Sequence, residues 1–426
     1  MTTEVSFLDG NFGPVTEEVT TFDLPVTGTI PPELAGRLVR IGPNPKAPPD
    51  PATYHWFLGD GMVHGLRLRD GRAEWYRNRW VQGDAGEVVN THVVGIDGRT
   101  FALVEAGSQP VELSDELDPL GTCAFDGTLE GAYSAHPHRD PTTGEMHAVT
   151  YNWAWDHIRH VVVGPDARVR RELQIPVAGG PMIHDCAITE HHVVLLDLPV
   201  TFSLETAAAG VAFPYRWNPD HPPRVGLLPL DGAPGDVRWF EAPTCYVFHT
   251  LNAFERDGTV VVDLVRHPRM FATAVNGPNE GDPVLERWSL DLAAGTLVTE
   301  TLDDRPQEFP RLDERRTGRP HRFAYAAAVG AGLRHGPALK HDLVAGTSEV
   351  HDHGPGRATL EPLFVPRADG PGEDDGWVMS YVYDATTDRS DVVILDAGDF
   401  TGEPVATVHL PVRVPFGFHG SWIADR

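Results

Sequence analysis

Short strand-like runs alternate with turn residues along the whole chain, and this alternation restricts the possible folds more than any other feature of the sequence. Glycine (43 residues) and proline (38 residues) are spread from one end to the other. The runs between them include Gly65–Tyr76, Val93–Glu105, Met146–Trp155, His192–Pro199, Thr259–Val265, Trp377–Tyr383 and Asp391–Asp396. Turn dipeptides such as Asp70-Gly71 and Asp257-Gly258 flank them, which is typical of two-residue β-hairpins. The pattern predicts consecutive antiparallel strands and few long helices.

The hairpin signals continue along residues 1–426 without a break in composition, so we expect one all-β domain. A β-propeller fits best, because radial repetition accommodates many antiparallel strands without long exposed edges. A stack of two or three β-sandwiches is the alternative. The best candidate for a short helix is Leu113–Leu120. Segments Val200–Pro229, Arg266–Gly281 and Thr301–Arg322 lack hairpin signals, and we expect them to form a cap of loops and short helices over one face.

Composition excludes several classes of protein. The net charge of −27 repels polyanions, so we expect no nucleic-acid partner. Hydrophobic residues make up 41% of the chain, which is enough for a large core. No apolar region typical of a signal peptide follows Met1, and no apolar run is long enough to cross a bilayer. The three cysteines, Cys123, Cys186 and Cys245, form no CxxC pair, so reduced thiols and a cytoplasmic location are expected.

Four histidines are candidate metal ligands, and three of them have surroundings that suit inward-facing strand ends. His136 forms an HxH pair with His138, but Pro137 between them disfavours regular strand pairing, so one ligand and one surface residue are expected. His184, His249 and His419 are flanked by apolar, aromatic or glycine residues. Spacing alone leaves two alternatives open, a metal ligand or a neutral core histidine with a hydrogen-bond partner.

Other histidine clusters carry less information. His351 and His353 precede a Gly-Pro-Gly sequence, which predicts an exposed loop, and the tandem pair His191-His192 is expected in a solvated turn. The chain contains no HExxH metalloprotease motif, GxSxG nucleophile elbow, P-loop or GxGxxG fingerprint. Those absences disfavour the common hydrolases, kinases and dehydrogenases.

A series of motifs resembles one family, the carotenoid cleavage oxygenases. The motifs follow in the order expected for that family and extend from about Gly36 to Trp422, so together they are highly specific. They are Gly36–Pro45, Tyr54–His64, Ala135–Glu145, Met182–Thr189, Phe248–Glu255, Glu308–Arg311, Glu361–Arg367 and Gly417–Gly420.

The resemblance implies a seven-bladed β-propeller with one Fe(II) on its axis. It implies one iron ligand from each of four motifs, namely His136, His184, His249 and His419, and so selects His136 over His138. Neutral imidazole suits Fe(II), and four such ligands leave up to two open positions. The implied activity is oxidative cleavage of a conjugated C=C bond with O2 as co-substrate.

The same resemblance implies roles for residues around the iron. Glu105, Glu308 and Glu361 are expected behind His184, His249 and His419, where each would accept the imidazole N–H that does not face the metal. No such glutamate is implied for His136. Thr91 matches a family threonine near an open iron position.

The substrate is expected to be a carotenoid or apocarotenoid. The stilbene-cleaving branch of the family typically carries a Lys directly before the position of Glu105 and a Tyr where this chain has Trp80. Here these positions hold Val104 and Trp80, which favour an apolar tunnel for a polyene over recognition of a phenol. Cleavage of a stilbene or phenylpropenoid is the alternative within the enzyme class, and a non-catalytic propeller that binds a lipid or a partner is the alternative outside it. The apolar segment Val200–Trp217 suggests peripheral contact with a membrane.

Overall fold

Seven antiparallel sheets surround a central axis, so the chain forms a seven-bladed β-propeller. This computed structural model describes residues 7–368 and 370–425. The innermost strands of neighbouring blades contact one another around the axis. The predicted fold class is confirmed, and the alternative of stacked sandwiches is wrong.

We number the blades along the chain. The main strands are Gly36–Pro43, Gly61–Arg69 and Arg72–Val81 in blade 1; His92–Ile96, Arg99–Leu103, Val111–Leu113 and Pro119–Thr122 in blade 2; His138–Arg139, Met146–Thr150, His157–Val163 and Val169–Pro176 in blade 3; Cys186–Ile188, His192–Asp197, Arg224–Pro229 and Arg238–Glu241 in blade 4; Tyr246–Arg256, Thr259–His267, Val284–Asp291 and Thr296–Asp303 in blade 5; Gln307–Arg311, Phe323–Gly330, Arg334–Asp342 and Thr347–His351 in blade 6; and Arg357–Thr359, Leu363–Pro366, Gly376–Asp384, Arg389–Asp396 and Ala406–His409 in blade 7.

Both ends of the chain close the ring. The last strand, Gly420–Ala424, becomes the innermost strand of blade 1 and pairs with Gly36–Pro43, with Gly420 opposite Arg40. Near the other end, Val26–Gly28 completes blade 7, and Thr20–Phe22 forms the outer edge of blade 1. Segments at opposite ends of the sequence therefore hold each other in place.

The core lies between the faces of adjacent blades. Strand Gly61–Arg69 buries every residue except its last, because other blades cover both faces of its sheet. Outer strands are more polar, and Thr296–Asp303 is exposed or half-buried throughout. Strands inside a blade are therefore buried along most of their length, and a strand at the rim is not.

The predicted cap is present in part. Val200–Phe202 and Tyr215–Trp217 form a two-stranded hairpin that encloses the α-helix Leu204–Ala208. However, Arg224–Pro229 is a blade strand and so is Gln307–Arg311, so the predicted loop segments were too long. The short 3₁₀ helices are Gly10–Phe12, Trp56–Leu58, Pro234–Asp236, Glu314–Arg316, Ala331–Leu333 and Ala397–Asp399. Among the described residues, no helix has the length and apolar character needed to cross a bilayer.

The predicted helix at Leu113–Leu120 is wrong, because this segment is a hairpin turn between two strands of blade 2. The Ser114 hydroxyl accepts hydrogen bonds from the backbone N–H groups of Glu116 and Asp118. Leu117 adopts a left-handed φ of 68°. A serine side chain that bonds nearby N–H groups competes with helix formation, and here it stabilises the turn.

The backbones of two glycines, Gly42 and Gly417, lie in close contact at the ring closure. A Cβ atom on Gly417 would lie 2.8 Å from the Cα of Gly42. We expect Gly417→Ala to lower the free energy of unfolding by about 1–3 kcal/mol, because the two backbones would have to separate. Chemical denaturation measures the loss. The matched control is Gly235→Ala, whose added Cβ meets nothing within 4 Å. Equal stabilities for the two variants would contradict the prediction.

Candidate active site

Four histidines from four blades meet on the propeller axis. His136, His184, His249 and His419 belong to the start of the innermost strands of blades 3, 4, 5 and 1, or directly precede them. One ligand nitrogen from each lies within 4.8 Å of those from the other three. This arrangement could hold a metal ion. The structure thus brings together all four histidines that the sequence analysis proposed as ligands.

Glutamates fix the orientation of three of these rings. Because a carboxylate only accepts hydrogen bonds, the imidazole Nδ1 carries the proton in each pair and Nε2 keeps its lone pair. The distances from Nδ1 to the carboxylate oxygen are 2.7 Å for His184–Glu105, 2.6 Å for His249–Glu308 and 2.9 Å for His419–Glu361. The three predicted pairs are therefore present as hydrogen bonds.

Each glutamate accepts a second hydrogen bond, so its own position is fixed. The second donors are the Tyr151 hydroxyl to Glu105 at 2.7 Å, His267 Nε2 to Glu308 at 2.6 Å and the backbone N–H of Gly420 to Glu361 at 2.9 Å. Sequence analysis missed Tyr151 and His267. Both lie in or directly after strand-like runs, and no motif distinguishes them from ordinary core residues.

The fourth histidine, His136, has no carboxylate partner. Its Nε2 is buried without a hydrogen-bond partner, and so is Nε2 of His249. A buried imidazole nitrogen without a partner is costly, and coordination of a metal ion would satisfy it. The donor set therefore fits a transition-metal cation bound by Nε2 atoms.

Electrostatics support the same assignment. Burial and the surrounding imidazoles hold the pKa of both His136 and His419 well below the usual range, so both rings are neutral. Burial alone would raise the pKa of Glu308, but His249 and His267 lower it, so this carboxylate is ionised. Burial would lower the pKa of His249, yet Glu308 raises it. Positive charge is therefore favoured on the His249 ring and disfavoured on the rings of His136 and His419.

A strained phenylalanine lies beside the four histidines. Phe309 adopts a left-handed φ of 58°, which costs a non-glycine residue roughly 1–3 kcal/mol. Its backbone N–H donates to Glu308 at 2.7 Å. The ring centre lies 5.4 Å from those of both His249 and His419. The strained turn thus places an aromatic wall against two candidate ligands.

A cavity of about 540 Å³ opens on one side of the histidines. His184, His249 and His419 form part of its wall, and aromatic side chains form much of the remainder. These aromatic residues include Phe57, Phe213, Phe248, Phe309 and Phe418. A large apolar cavity beside a cluster of convergent polar atoms is typical of a site for a small lipophilic ligand.

Thr91 lies in the wall of this cavity. Its hydroxyl donates to the side-chain oxygen of Asn90 at 2.9 Å, and its carbonyl accepts the backbone N–H of His419 at 3.0 Å. The threonine is therefore next to the candidate centre in a fixed orientation. Its influence on access to a metal stays a prediction.

The two residues predicted to line the tunnel differ in position. Val104 lies in the cavity wall, as expected. Trp80 is not among the described residues that line this cavity. Its indole N–H donates to the carbonyl of Asn44 at 3.1 Å, and Lys46 lies over its ring. These partners hold Trp80 on the outer hairpin of blade 1, away from the cavity.

A second cavity, of about 400 Å³, opens on the other side of the histidines. His136, His249 and His419 reach it as well, but its wall contains charged residues such as Asp185, Arg311 and Glu361. The four histidines therefore separate an apolar cavity from a polar one.

Two histidines outside the cluster are His138, which lies where the resemblance implied, and His351, which does not lie where the sequence predicted. His138 donates Nε2–H to Asp185 at 2.8 Å and does not join the four, as the resemblance implied. His351, predicted in an exposed loop, is buried at the end of a blade 6 strand, so that prediction is wrong. Its Nδ1 donates to the carbonyl of Phe400 at 3.0 Å, which ties it to the adjacent blade.

The three cysteines are buried and unpaired.

Comparison with known proteins identifies the family. A family model described as retinal pigment epithelial membrane protein matches residues 12–87 and 82–424. A carotenoid cleavage oxygenase from Mycobacterium tuberculosis is 44% identical over 98% of this chain and 97% of its own. The chain belongs to the carotenoid cleavage oxygenase family. The predicted family is confirmed, and members of it are oxidoreductases.

Solved structures agree with this assignment. The lignostilbene dioxygenase of Pseudomonas brassicacearum superimposes with a TM-score of 0.92, at 28% identity over 99% of both chains. A cobalt-substituted apocarotenoid oxygenase from Synechocystis superimposes with a TM-score of 0.87, at 28% identity over 97% of both chains. The family thus includes proteins named for carotenoid, apocarotenoid and stilbene substrates.

Metal binding can be measured without turnover. We expect the metal-free chain to bind about one Co(II) through imidazole nitrogens and to develop a cobalt absorption band. His249→Ala should abolish the band, because it removes one of the four convergent nitrogens. His147→Ala is the matched control, since His147 is buried, contacts His160 and belongs to neither group of possible metal ligands. Loss of the band in the control alone would show that the assignment is wrong, provided both variants keep a cooperative thermal transition.

Proposed function

We propose that the chain is a non-haem iron dioxygenase that uses Fe(II) and O2 to cleave one conjugated C=C bond of a carotenoid or apocarotenoid into two carbonyl products. The observation that carries the proposal is the convergence of four histidine nitrogens, with three of the four histidines in the wall of the apolar cavity. The resident metal would be held by His136, His184, His249 and His419, with Glu105, Glu308 and Glu361 behind three of them. A ferrous ion bound by these residues would supply the redox chemistry that a reaction of an alkene with O2 requires.

The chain's own residues bind and position the substrate. Phe57, Phe248 and Phe418 give the cavity an aromatic wall that suits an extended apolar alkene and excludes water. Thr91 and Phe309 contribute to the same wall beside His419. Because they adjoin a ligand, we propose that they restrict how closely a substrate double bond approaches the centre.

The absence of a base at one position favours the polyene. Val104 precedes Glu105 and presents only methyl groups to the cavity. The second candidate is a stilbene or phenylpropenoid, and the superposition on a lignostilbene dioxygenase supports it. A phenolic substrate of this chain would need a recognition group other than a lysine at position 104.

Apolar side chains at the cavity mouth suggest how a lipophilic substrate enters. Leu58 and Trp153 line the cavity and are also exposed to solvent, as are nearby Leu204 and Val211. We propose that these side chains contact a lipid surface. With a net charge of −27, that contact would be hydrophobic and not electrostatic. The cytoplasmic location stays a prediction.

Product analysis tests the substrate class. We expect the iron-loaded chain to convert an apocarotenal to shorter carbonyl products in the presence of O2, since the aromatic cavity suits a polyene. The reaction is followed by chromatography with an authentic aldehyde standard. Resveratrol and isoeugenol are assayed in parallel. Phenolic aldehydes from these two, with the apocarotenal untouched, would replace the first candidate by the second.

A conservative change behind one ligand tests the role of the glutamates. Glu308→Gln removes the charge but keeps the shape, and we expect it to weaken metal binding roughly 10- to 100-fold. Competition with a coloured chelator measures the affinity. Glu286→Gln is the matched control, because Glu286 is also buried but accepts hydrogen bonds from Arg266 and Trp288 in blade 5. If both variants bind the metal as the parent does, Glu308 has no role in binding.

A further inference from the structure

Most polar side chains in the apolar cavity already have protein partners. The Tyr151 hydroxyl donates to Glu105, the Thr91 hydroxyl to Asn90, and the Ser108 hydroxyl to the carbonyl of Gln109. These groups are therefore committed to the protein, and a ligand would have to compete for them.

Tyr215 is different. It lies in the cavity wall and is 8% exposed, yet the described residues form no hydrogen bond to its hydroxyl. Trp56 also lines the cavity with an unpaired indole N–H, but that nitrogen is sealed from solvent. The Tyr215 hydroxyl is not sealed from the cavity in this way. A ligand that enters the cavity can therefore form a hydrogen bond to this hydroxyl without displacing a protein partner.

The ring of Tyr215 is held rigidly, so its hydroxyl has a defined position. Its ring centre lies 5.5 Å from that of Phe213 and 5.9 Å from that of Tyr151. Residue 215 is also paired with Phe202 in the cap hairpin. A rigid aromatic residue loses little conformational entropy when it binds a ligand.

We infer that the Tyr215 hydroxyl binds an oxygen atom of the substrate, a hydroxyl or a carbonyl, so the cavity selects oxygenated alkenes over the corresponding hydrocarbons. This inference rests on the proposed function and specifies its substrate class. Burial, followed by the charge of Glu105, raises the pKa of Tyr215, so the group stays protonated at neutral pH. It can donate to a carbonyl and can both donate to and accept from a hydroxyl. It positions the substrate and does not act as a base.

Two pairs of ligands test the inference and show whether the oxygen atom that Tyr215 binds belongs to a polyene aldehyde or to a phenol. One pair is a polyene hydrocarbon and the same polyene ending in an aldehyde. The other is trans-stilbene and its para-hydroxy derivative. Dissociation constants are measured anaerobically by quenching of tryptophan fluorescence, so that no turnover is needed. We expect at least one oxygenated ligand to bind roughly 3- to 10-fold more tightly than its parent, as one hydrogen bond implies.

The deciding variant is Tyr215→Phe, which keeps the ring packing and removes only the hydroxyl. We expect it to bind both members of the selected pair equally, because the oxygenated ligand loses affinity and its parent does not. The matched control is Tyr246→Phe, since the Tyr246 hydroxyl bonds the carbonyl of Met182 and is not in the cavity wall. This control should keep the discrimination, and thermal unfolding checks that both variants fold.

The outcomes separate this inference from the proposed function. Equal binding within both pairs by the parent protein, or unchanged discrimination in Tyr215→Phe, would overturn the inference. Admission of O2 to the iron-loaded complexes then tests cleavage. If the discrimination depends on Tyr215 but no alkene is cleaved, the binding role stands and the proposed reaction is wrong. If none of the four ligands binds, both proposals fail.

Discussion

The hydrogen bonds between glutamates and histidines are the constraint on which the centre of the molecule depends. Each pair joins two blades: Glu105 of blade 2 to His184 of blade 4, Glu308 of blade 6 to His249 of blade 5, and Glu361 of blade 7 to His419 of blade 1. Blade 3 contributes His136. All seven blades therefore supply side chains to one cluster, and a shift of any blade would move a ring or the carboxylate that orients it. Radial symmetry makes this possible, because innermost strands begin at similar distances from the axis.

The ring closure directly positions one of the four histidines, His419. His419 directly precedes the last strand, and its position depends on pairing with a strand that begins at Gly36. The buried guanidinium of Arg40 donates to the carbonyls of Pro415 and Phe418, so it holds the segment that leads to His419. Burial lowers the pKa of Arg40 to about 10, and proximity to Glu361 opposes that shift. The cost of burying this cation is offset by hydrogen bonds that fix the backbone beside a candidate ligand.

Much of this arrangement could be predicted from sequence, for identifiable reasons. Hairpin turns are local signals, and Asp70-Gly71 and Asp257-Gly258 do lie at turns between strands. The four histidines could be selected only because each lies in its own family motif. Spacing did not distinguish them from core residues, because the contacts that unite them join residues far apart in the chain.

The errors have equally physical causes. Leu113–Leu120 contains four turn-favouring residues, Ser114, Asp115, Asp118 and Pro119, which the helix prediction underweighted. The hydrogen bonds of Ser114 and the left-handed Leu117 fix the turn. The expectation for Trp80 rested on the family resemblance, but its indole N–H donates to the carbonyl of Asn44. Tyr151 and His267 could not be found because their roles consist of single hydrogen bonds to glutamates from other strands. Such contacts leave no local pattern.

The balance of charge at the centre links metal binding to the stability of the fold. Three glutamates approach the cluster, and Glu308 and Glu361 are buried. Several groups compensate for this charge in part: Arg311 lies 3.7 Å from Glu361, Arg40 is close to the same carboxylate, and His267 donates to Glu308. Buried carboxylates without enough nearby positive charge destabilise a fold, and the neutral rings of His136 and His419 offer none. A dication bound at the histidine Nε2 atoms would offset this negative charge through the intervening rings. The unfolded chain lacks such a preformed site, so an ion that binds there stabilises the folded state. The stabilisation grows with the logarithm of the ratio between the ion's concentration and its dissociation constant. A metal ion held by the oriented histidines would therefore also stabilise the folded propeller.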